Sequence, residues 1–281
     1  MRVIPANPVT GGVDASEVVK LVDRDTCLLC IMSASNISGS IMDMETIVKS
    51  AREINPDIYI ISDAVQHAPH CLMDVEKLGI DGMNFAPYKF FGVRGCGFAY
   101  VSDRIAALPH HKLLAKEQSV FELGTSAPGN FAAAIEMINY VCAIGAHYLE
   151  SGDRRALFAE GMRRIHLHER ALLYRLLEGT EKTPGLRHIP GVVVYLDTDD
   201  LASRDLIVAM AIENTDFTEC VAQYQKRGVT VYERVISSLY SKRMLEALGL
   251  RGAIRVSPLH CHGVEDIDRF LRITAEIAAD A

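Results

Sequence analysis

Asp81-Gly82-Met83-Asn84-Phe85-Ala86-Pro87-Tyr88-Lys89-Phe90-Phe91-Gly92-Val93-Arg94-Gly95-Cys96-Gly97-Phe98-Ala99-Tyr100-Val101 is the stretch on which the reading of this chain turns. A brief strand, Gly82 to Phe85, leads into a lysine, a turn rich in glycine and a second strand, Gly97 to Val101. Glycines let backbone approach a ligand closely, which sets Lys89 apart from an ordinary solvated lysine. Upstream, Asp57 to Ile61 has strand character and runs into Ser62-Asp63-Ala64-Val65-Gln66-His67. Asp63 therefore falls at the carboxyl end of a strand, where open α/β sheets put their ligand sites. Taken alone, Asp63 reads equally well as an acidic cap, and Gln66 as a polar turn residue.

The surroundings extend the same pattern. Thr26 to Met32 is a short, wholly apolar run, expected to be a strand buried on both faces of a parallel sheet. Asp43 to Ile54 has apolar residues at helical spacing, and Met73 to Leu78 reads as a short helix. Asn130 to Tyr148 is expected to be a long, mostly buried helix. Beyond about residue 150 the character changes. Asp153 to Leu177 is a charged helix with an apolar stripe, ending at Gly179 in a C-cap. Strands are expected at 191–197, 228–232 and 253–257, with helices at 216–227, 239–248 and 264–279. Alternating elements followed by this mixture predict an α/β large domain over 1–150 and a smaller α+β domain over 151–281.

Composition narrows the classes. The chain of 281 residues is 49% hydrophobic, which indicates a globular protein with ample core. A net charge of -7 and the lack of a basic cluster argue against nucleic-acid binding. No apolar run reaches membrane-spanning length, and the N-terminus lacks signal-peptide character, so the cytoplasm is the expected compartment. Seven cysteines, odd in number and without framework spacing, suit reduced thiols. Cys27-x-x-Cys30 is expected to be a pair of buried thiols rather than a metal or redox pair, because strand alternation turns the two side chains to opposite faces. His260-Cys261-His262 reads as a turn, and His166 and His168 as surface residues.

An acid at one strand end and a lysine beyond the next are the minimum chemistry for holding pyridoxal 5'-phosphate (PLP). The amine can form a Schiff base with the cofactor aldehyde, and the carboxylate can keep the pyridine nitrogen protonated. Further motifs stand in order around this pair: Ser35-Asn36-Ile37-Ser38-Gly39, Phe121-Glu122-Leu123-Gly124-Thr125, and Arg255-Val256-Ser257-Pro258-Leu259-His260. On these motifs, and over nearly its whole length, the chain resembles the class V PLP-dependent aminotransferase superfamily, in its cysteine desulfurase and selenocysteine lyase-like branch. The resemblance implies the type I PLP-transferase fold, an amino-acid substrate and a homodimer. It implies Lys89 as the Schiff-base lysine, Asp63 as the pyridine-nitrogen acid, Gln66 as the partner of the cofactor's phenolic oxygen and Asn36 as a cofactor-side contact. Thr125 would reach the phosphate of the neighbouring subunit, and Arg255 would clamp the substrate carboxylate, a bidentate task suited to guanidinium.

The chain also departs from that pattern. The family carries Ser-x-His immediately before its lysine, where this sequence reads Ala86-Pro87-Tyr88, leaving the Tyr88 hydroxyl as the cofactor contact there. The family's desulfurases hold a nucleophilic cysteine shortly before the arginine, and none lies between Gly228 and Ile254. Family members also begin with a phosphate-anchoring loop and a ring-stacking strand that are not found upstream of residue 26. The expectation is therefore a fragment or a shortened homologue. Two functions stay open: a PLP-dependent transferase or lyase, and a non-catalytic homologue that keeps the fold for dimerisation or partner binding.

Overall fold

A computed structural model describes every residue from 1 to 281 except Ser119 and Ser126. In chain order the elements are α1 (Ala15–Leu21), β1 (Leu28–Met32), α2 (Met44–Ile54), β2 (Tyr59–Asp63), α3 (Val75–Leu78), β3 (Gly82–Phe85), β4 (Phe98–Val101), α4 (Asp103–Ala106), α5 (Pro128–Ala146) and α6 (Arg154–Glu178). They continue with β5 (Val192–Tyr195), β6 (Val208–Ile212), α7 (Phe217–Lys226), β7 (Tyr232–Val235), α8 (Lys242–Ala247), β8 (Gly252–Val256) and α9 (Val264–Ala279). The chain separates into two compact units. The first comprises Met1–Asp14, Ala34–Met42 and Ile165–Ala281, and the second comprises Ala15–Ser33 and Asp43–Arg164.

In the second unit, four strands form a sheet in the order β1-β2-β3-β4. The first three run parallel and β4 returns antiparallel to β3. Buried Asp81 locks the register of β2 and β3 at their amino ends, the opposite end from Asp63. Its backbone N–H donates to the Ile60 carbonyl, and its carboxylate accepts from Ile60 N (2.9 Å), Arg52 Nη2 (2.9 Å) and Arg104 Nη1 (3.0 Å). A carboxylate held by two guanidiniums and a backbone donor is fully satisfied, as a buried charge must be.

Two expectations fail in this unit. The run around β1 is apolar throughout, yet only Leu29 and Ile31 are buried, while Leu28, Cys30 and Met32 alternate with them as exposed residues. A wholly apolar strand predicts cover on both faces, and among the described residues only one face has it. Cys27 and Cys30 are consequently exposed rather than buried thiols. Helix α5 is likewise less covered than its composition suggests: Met137, Val141, Cys142 and Gly145 are buried, whereas Phe131, Ile135 and Ile138 are exposed. Its buried face meets the N-terminal part of α6 at very short range. A Cβ on Gly145 would sit 1.9 Å from the Leu157 carbonyl oxygen, and one on Gly161 2.1 Å from that of Val141. Only glycine permits backbones so close.

The first unit is built on an antiparallel sheet in the order β5-β6-β8-β7. One face carries the main apolar core, where Leu172 and Leu176 of α6, Tyr224 of α7 and Phe270 of α9 pack with Met210 and Ile254 of the sheet. On the opposite face, Ala209 and Ala253 make room for Ile37, with Tyr195 and Met244 packed around it. β6, buried at every position, was not anticipated from the sequence, and the strand expected at 228–232 lies at 232–235. Pairing with β8 decides the latter: Tyr232 is opposite Arg255 and Val235 opposite Gly252. Among the described residues no helix is long and apolar enough to cross a membrane.

Candidate active site

The second unit holds Asp63, Gln66, Tyr88, Lys89 and Thr125, and the first holds Asn36 and Arg255. In the second unit, Asp63 is the last residue of β2, in register with Met32 and Asn84. Its Oδ1 accepts from Val65 N (3.0 Å) and from Asn84 Nδ2 (3.4 Å). Its Oδ2 accepts no hydrogen bond from any described residue, and the residue is exposed. The strand end therefore presents an oriented carboxylate with one oxygen open to a donor. Behind it, Ser62 and Ser33 are buried and share a hydroxyl–hydroxyl bond of 2.7 Å, which ties β2 to the end of β1.

After Asp63 the backbone folds into consecutive turns, with Ala68 N donating to Ala64 O and His70 N to His67 O. These turns bury Gln66, His67 and His70. Lys89 closes a single 3₁₀ turn, Pro87–Lys89. The turn is fixed on both sides: Phe90 is buried and stacks on Phe158 at 6.5 Å, Phe91 adopts φ 60°, and Gly92 N donates to Pro87 O at 2.8 Å. A Cβ on Gly92 would meet Pro87 at 2.8 Å, so the glycine allows the return. A positive φ at a bulky residue such as Phe91 is a rare, strained conformation that its surroundings must hold in place. The result aims Lys89 Nζ at Gln66 Oε1, 3.0 Å away. Gln66 Nε2 in turn lies 3.3 Å from His70 Nε2.

The structure thus joins Lys89 to Gln66, and Asp63 to Asn84. It does not bring Tyr88 to that group. Tyr88 is exposed, with the Arg94 guanidinium 5.1 Å from its ring centroid. Thr125 is exposed in the irregular stretch before α5 and bonds to none of these residues. Asn84 and His70 were not singled out from the sequence. The strand spacing of Asn84 against Asp63 offered a signal for the first; no local pattern marked the second.

In the first unit, residues 34–40 form a tight loop. Ser35 Oγ accepts from Ile37 N (3.3 Å) and Ser38 N (3.2 Å), and Gly39 N donates to Ser35 O (3.0 Å). Gly39 has φ 76° and would clash with the Ile207 and Asp205 carbonyls if it bore a Cβ, so the loop requires glycine there. The loop offers the Asn36 carbonyl to Arg255 Nε at 2.6 Å, while Arg255 Nη1 donates to Ser257 Oγ at 2.8 Å. These two bonds orient the guanidinium from its own strand and from the loop.

As a donor set, the second unit suits PLP at its ring end: an amine, an open carboxylate oxygen at a strand terminus and an amide beside the amine. Ala86 supplies no hydrogen-bonding side chain, and Tyr88 is turned to Arg94. Among the described residues no group of His, Cys, Asp or Glu is arranged to hold a metal ion.

Comparison with known proteins gives a consistent result. The profile of the family described as aminotransferase class-V matches residues 1–270. The cysteine desulfurase IscS of Methanosarcina thermophila is 27% identical over 275 residues, covering 95% of this chain and 61% of that protein. The selenocysteine lyase of Rattus norvegicus is 28% identical over 197 residues, 64% of this chain and 44% of that one. The chain therefore spans less than two thirds of these relatives' own length. Among solved structures, a NifS-like protein superposes with a TM-score of 0.76 at 24% identity, covering 100% of this chain and 68% of the other. A NifS-like protein from Rickettsia africae gives 0.74 at 20%, covering 99% and 69%. At these identities the structural matches establish the shared fold.

Proposed function

The chain belongs to the aminotransferase class-V family, and from that premise we propose that it acts on an amino-acid substrate with PLP held at Lys89. The observation that carries this reading is the Lys89 amine, fixed by Gln66 at 3.0 Å in the same unit as an open Asp63 carboxylate oxygen. When bound, PLP supplies an electron sink that stabilises negative charge at the substrate's α-carbon. Lys89 would be the residue that holds the cofactor through its amine, and the same amine would serve as the base that moves the proton at that carbon. Asp63, through its open Oδ2, would hold the ring nitrogen in its protonated form, and Gln66 would hold the phenolic oxygen. Asn36 orients the cofactor side of the site, and Arg255 clamps the substrate carboxylate through its guanidinium fork.

Tyr88 and Thr125 are the proposed phosphate-side contacts, Thr125 serving the neighbouring subunit of a homodimer. The stretch 228–254 contains no cysteine, which favours transfer or cleavage chemistry without a protein persulfide at that position. Purified protein with excess PLP should develop a visible absorption band from lysine-bound cofactor, and Lys89→Ala should lose it. No band in the wild-type chain at saturating PLP would overturn the proposal for this chain and leave the fold as a binding module.

A further inference from the structure

The same face of the antiparallel sheet that carries Arg255 carries a second guanidinium. Register pairs Tyr232 with Arg255 and Arg234 with Ala253, so Arg234 is the diagonal neighbour of Arg255 on adjacent strands. Diagonal positions in an antiparallel pair are separated by roughly 7–8 Å, within reach of long side chains. Ala253 between them, and Ala209 opposite Arg255 on β6, contribute no bulk of their own and are packed against Ile37. The one hydrogen bond Arg234 makes is from Nη1 to the Glu233 carbonyl oxygen, at 3.0 Å, and it has no ion-pair partner among the described residues.

A half-buried guanidinium without a carboxylate, as at Arg234, is costly in a folded chain. The space beside Arg234 accounts for the arrangement. A cavity of about 410 Å³ is lined by Arg234, Asn36, Ser238, Tyr240, Ser241 and Met244, with Glu233 and Val235 of the strand. Asn36 is the residue whose carbonyl holds Arg255 Nε, so the cavity and the carboxylate clamp share a wall. Register sets Glu233 with Ile254 on the other face of the sheet, leaving Arg234 as the cation of the cavity face.

We infer that Arg234 is a specificity residue that selects a substrate bearing a second anionic group. The substrate class is then an amino acid with an acidic side chain, its α-carboxylate on Arg255 and its side-chain acid on Arg234. This assignment rests on the proposed role of Arg255, but not on PLP reaching Lys89. Each guanidinium presents the fork geometry that a carboxylate meets in a bidentate pair. Ser238 and Tyr240 contribute hydroxyls at the rim.

The test needs no cofactor. Calorimetric titration of the full chain compares a dicarboxylate, succinate or glutarate, with butyrate as the monocarboxylate. The dicarboxylate is expected to bind about 10- to 100-fold more tightly, the range of a charge-assisted hydrogen-bonded pair. In Arg234→Gln that ratio should collapse towards one, and Arg234→Lys, which keeps the charge without the fork, should retain part of it. Arg255→Gln should weaken both ligands. A wild-type ratio near one overturns the inference, as does a ratio that survives Arg234→Gln or dicarboxylate binding indifferent to Arg255→Gln. Should Arg234→Gln fail to fold, the lysine variant decides the matter: an undiminished ratio there overturns it too. A missing PLP band with an intact dicarboxylate preference would count against the cofactor reading alone.

Discussion

Arg204 shows how much one side chain can hold in place. It is buried, with Nη1 on Asp197 Oδ1 (3.1 Å), Nη2 on the Leu196 carbonyl (2.6 Å), and an Nε that has no hydrogen-bond partner among the described residues. Burial lowers its pKa first, and the Arg187 charge adds to that, while Asp197 works the other way. Asp197 also takes a bidentate pair from Arg187, Nε to Oδ2 and Nη2 to Oδ1. Removing this one carboxylate leaves buried Arg204 without an ion-pair partner among the described residues, whereas Arg187 keeps Glu178. Asp197→Ala should therefore cost about 3–5 kcal/mol, the penalty for breaking a buried pair, read as a lower urea midpoint at unchanged slope. Arg187→Lys, which keeps a charge but loses the fork, should cost much less. At the residue scale the sequence nominates Asp63, Gln66 and Lys89, and the structure places all three in the second unit with Lys89 on Gln66. Sequence reasoning was weakest where a partner comes from another segment. Asn84 and His70 gained their places by folding; strand spacing against Asp63 was a signal for Asn84, and no local pattern announced His70.

At the scale of elements, the contact between α5 and the start of α6 depends on two missing side chains. Alanine is the better helix former by about 1 kcal/mol, so Gly161→Ala would stabilise an isolated helix. Against that stands a Cβ 2.1 Å from the Val141 carbonyl oxygen, a backbone atom that no rotamer change can move aside. Overpacking of this kind costs about 1–3 kcal/mol. The clash outweighs the propensity, and the variant should melt below wild type by calorimetry; a higher melting temperature would contradict the observed approach. Element boundaries were legible where local pattern and packing agree. β3 and α9 fall where the spacing put them, and α9 buries Ile267, Phe270, Leu271 and Ile277 at helical intervals. β1 was read correctly as a strand and wrongly as covered on both faces. An apolar run records what a face tolerates rather than what lies against it. β7 slipped because Val229 and Thr230 suit a strand as well as the residues that pair with β8.

Over the whole molecule, seven thiols report on the two units together. Cys27, Cys30 and Cys261 are exposed, whereas Cys142 and Cys220 are buried. Burial pushes the Cys220 thiol up to about 11 from 9.0. Ellman's reagent at pH 8 should label the exposed three quickly and reach Cys220 only on unfolding. The sign of the linked pH effect follows from the raised value. The native state keeps the Cys220 proton where the unfolded chain has lost it, so this contribution to stability is whole below about pH 9 and declines as pH rises towards 11. A Cys220→Ala variant should show a shallower alkaline loss of stability across that window, after allowance for the cavity left behind. The α/β character, the mostly parallel order of the first sheet and the family were legible because motifs and apolar runs are local. The division of the chain was less so: residues 34–42 leave the second unit and count with the first. Such an exchange leaves no mark in composition.

That division has an evolutionary side. Lys89 and Asp63 are encoded in the stretch that builds the second unit, Arg234 and Arg255 in the stretch that builds the first. If Arg234 selects the anion as inferred, the residue that sets the preference and the lysine that would set the chemistry are coded in different stretches of the chain. Selection can therefore act on reaction and recognition as separate heritable traits within one gene, which is one way a shared fold comes to serve many substrates.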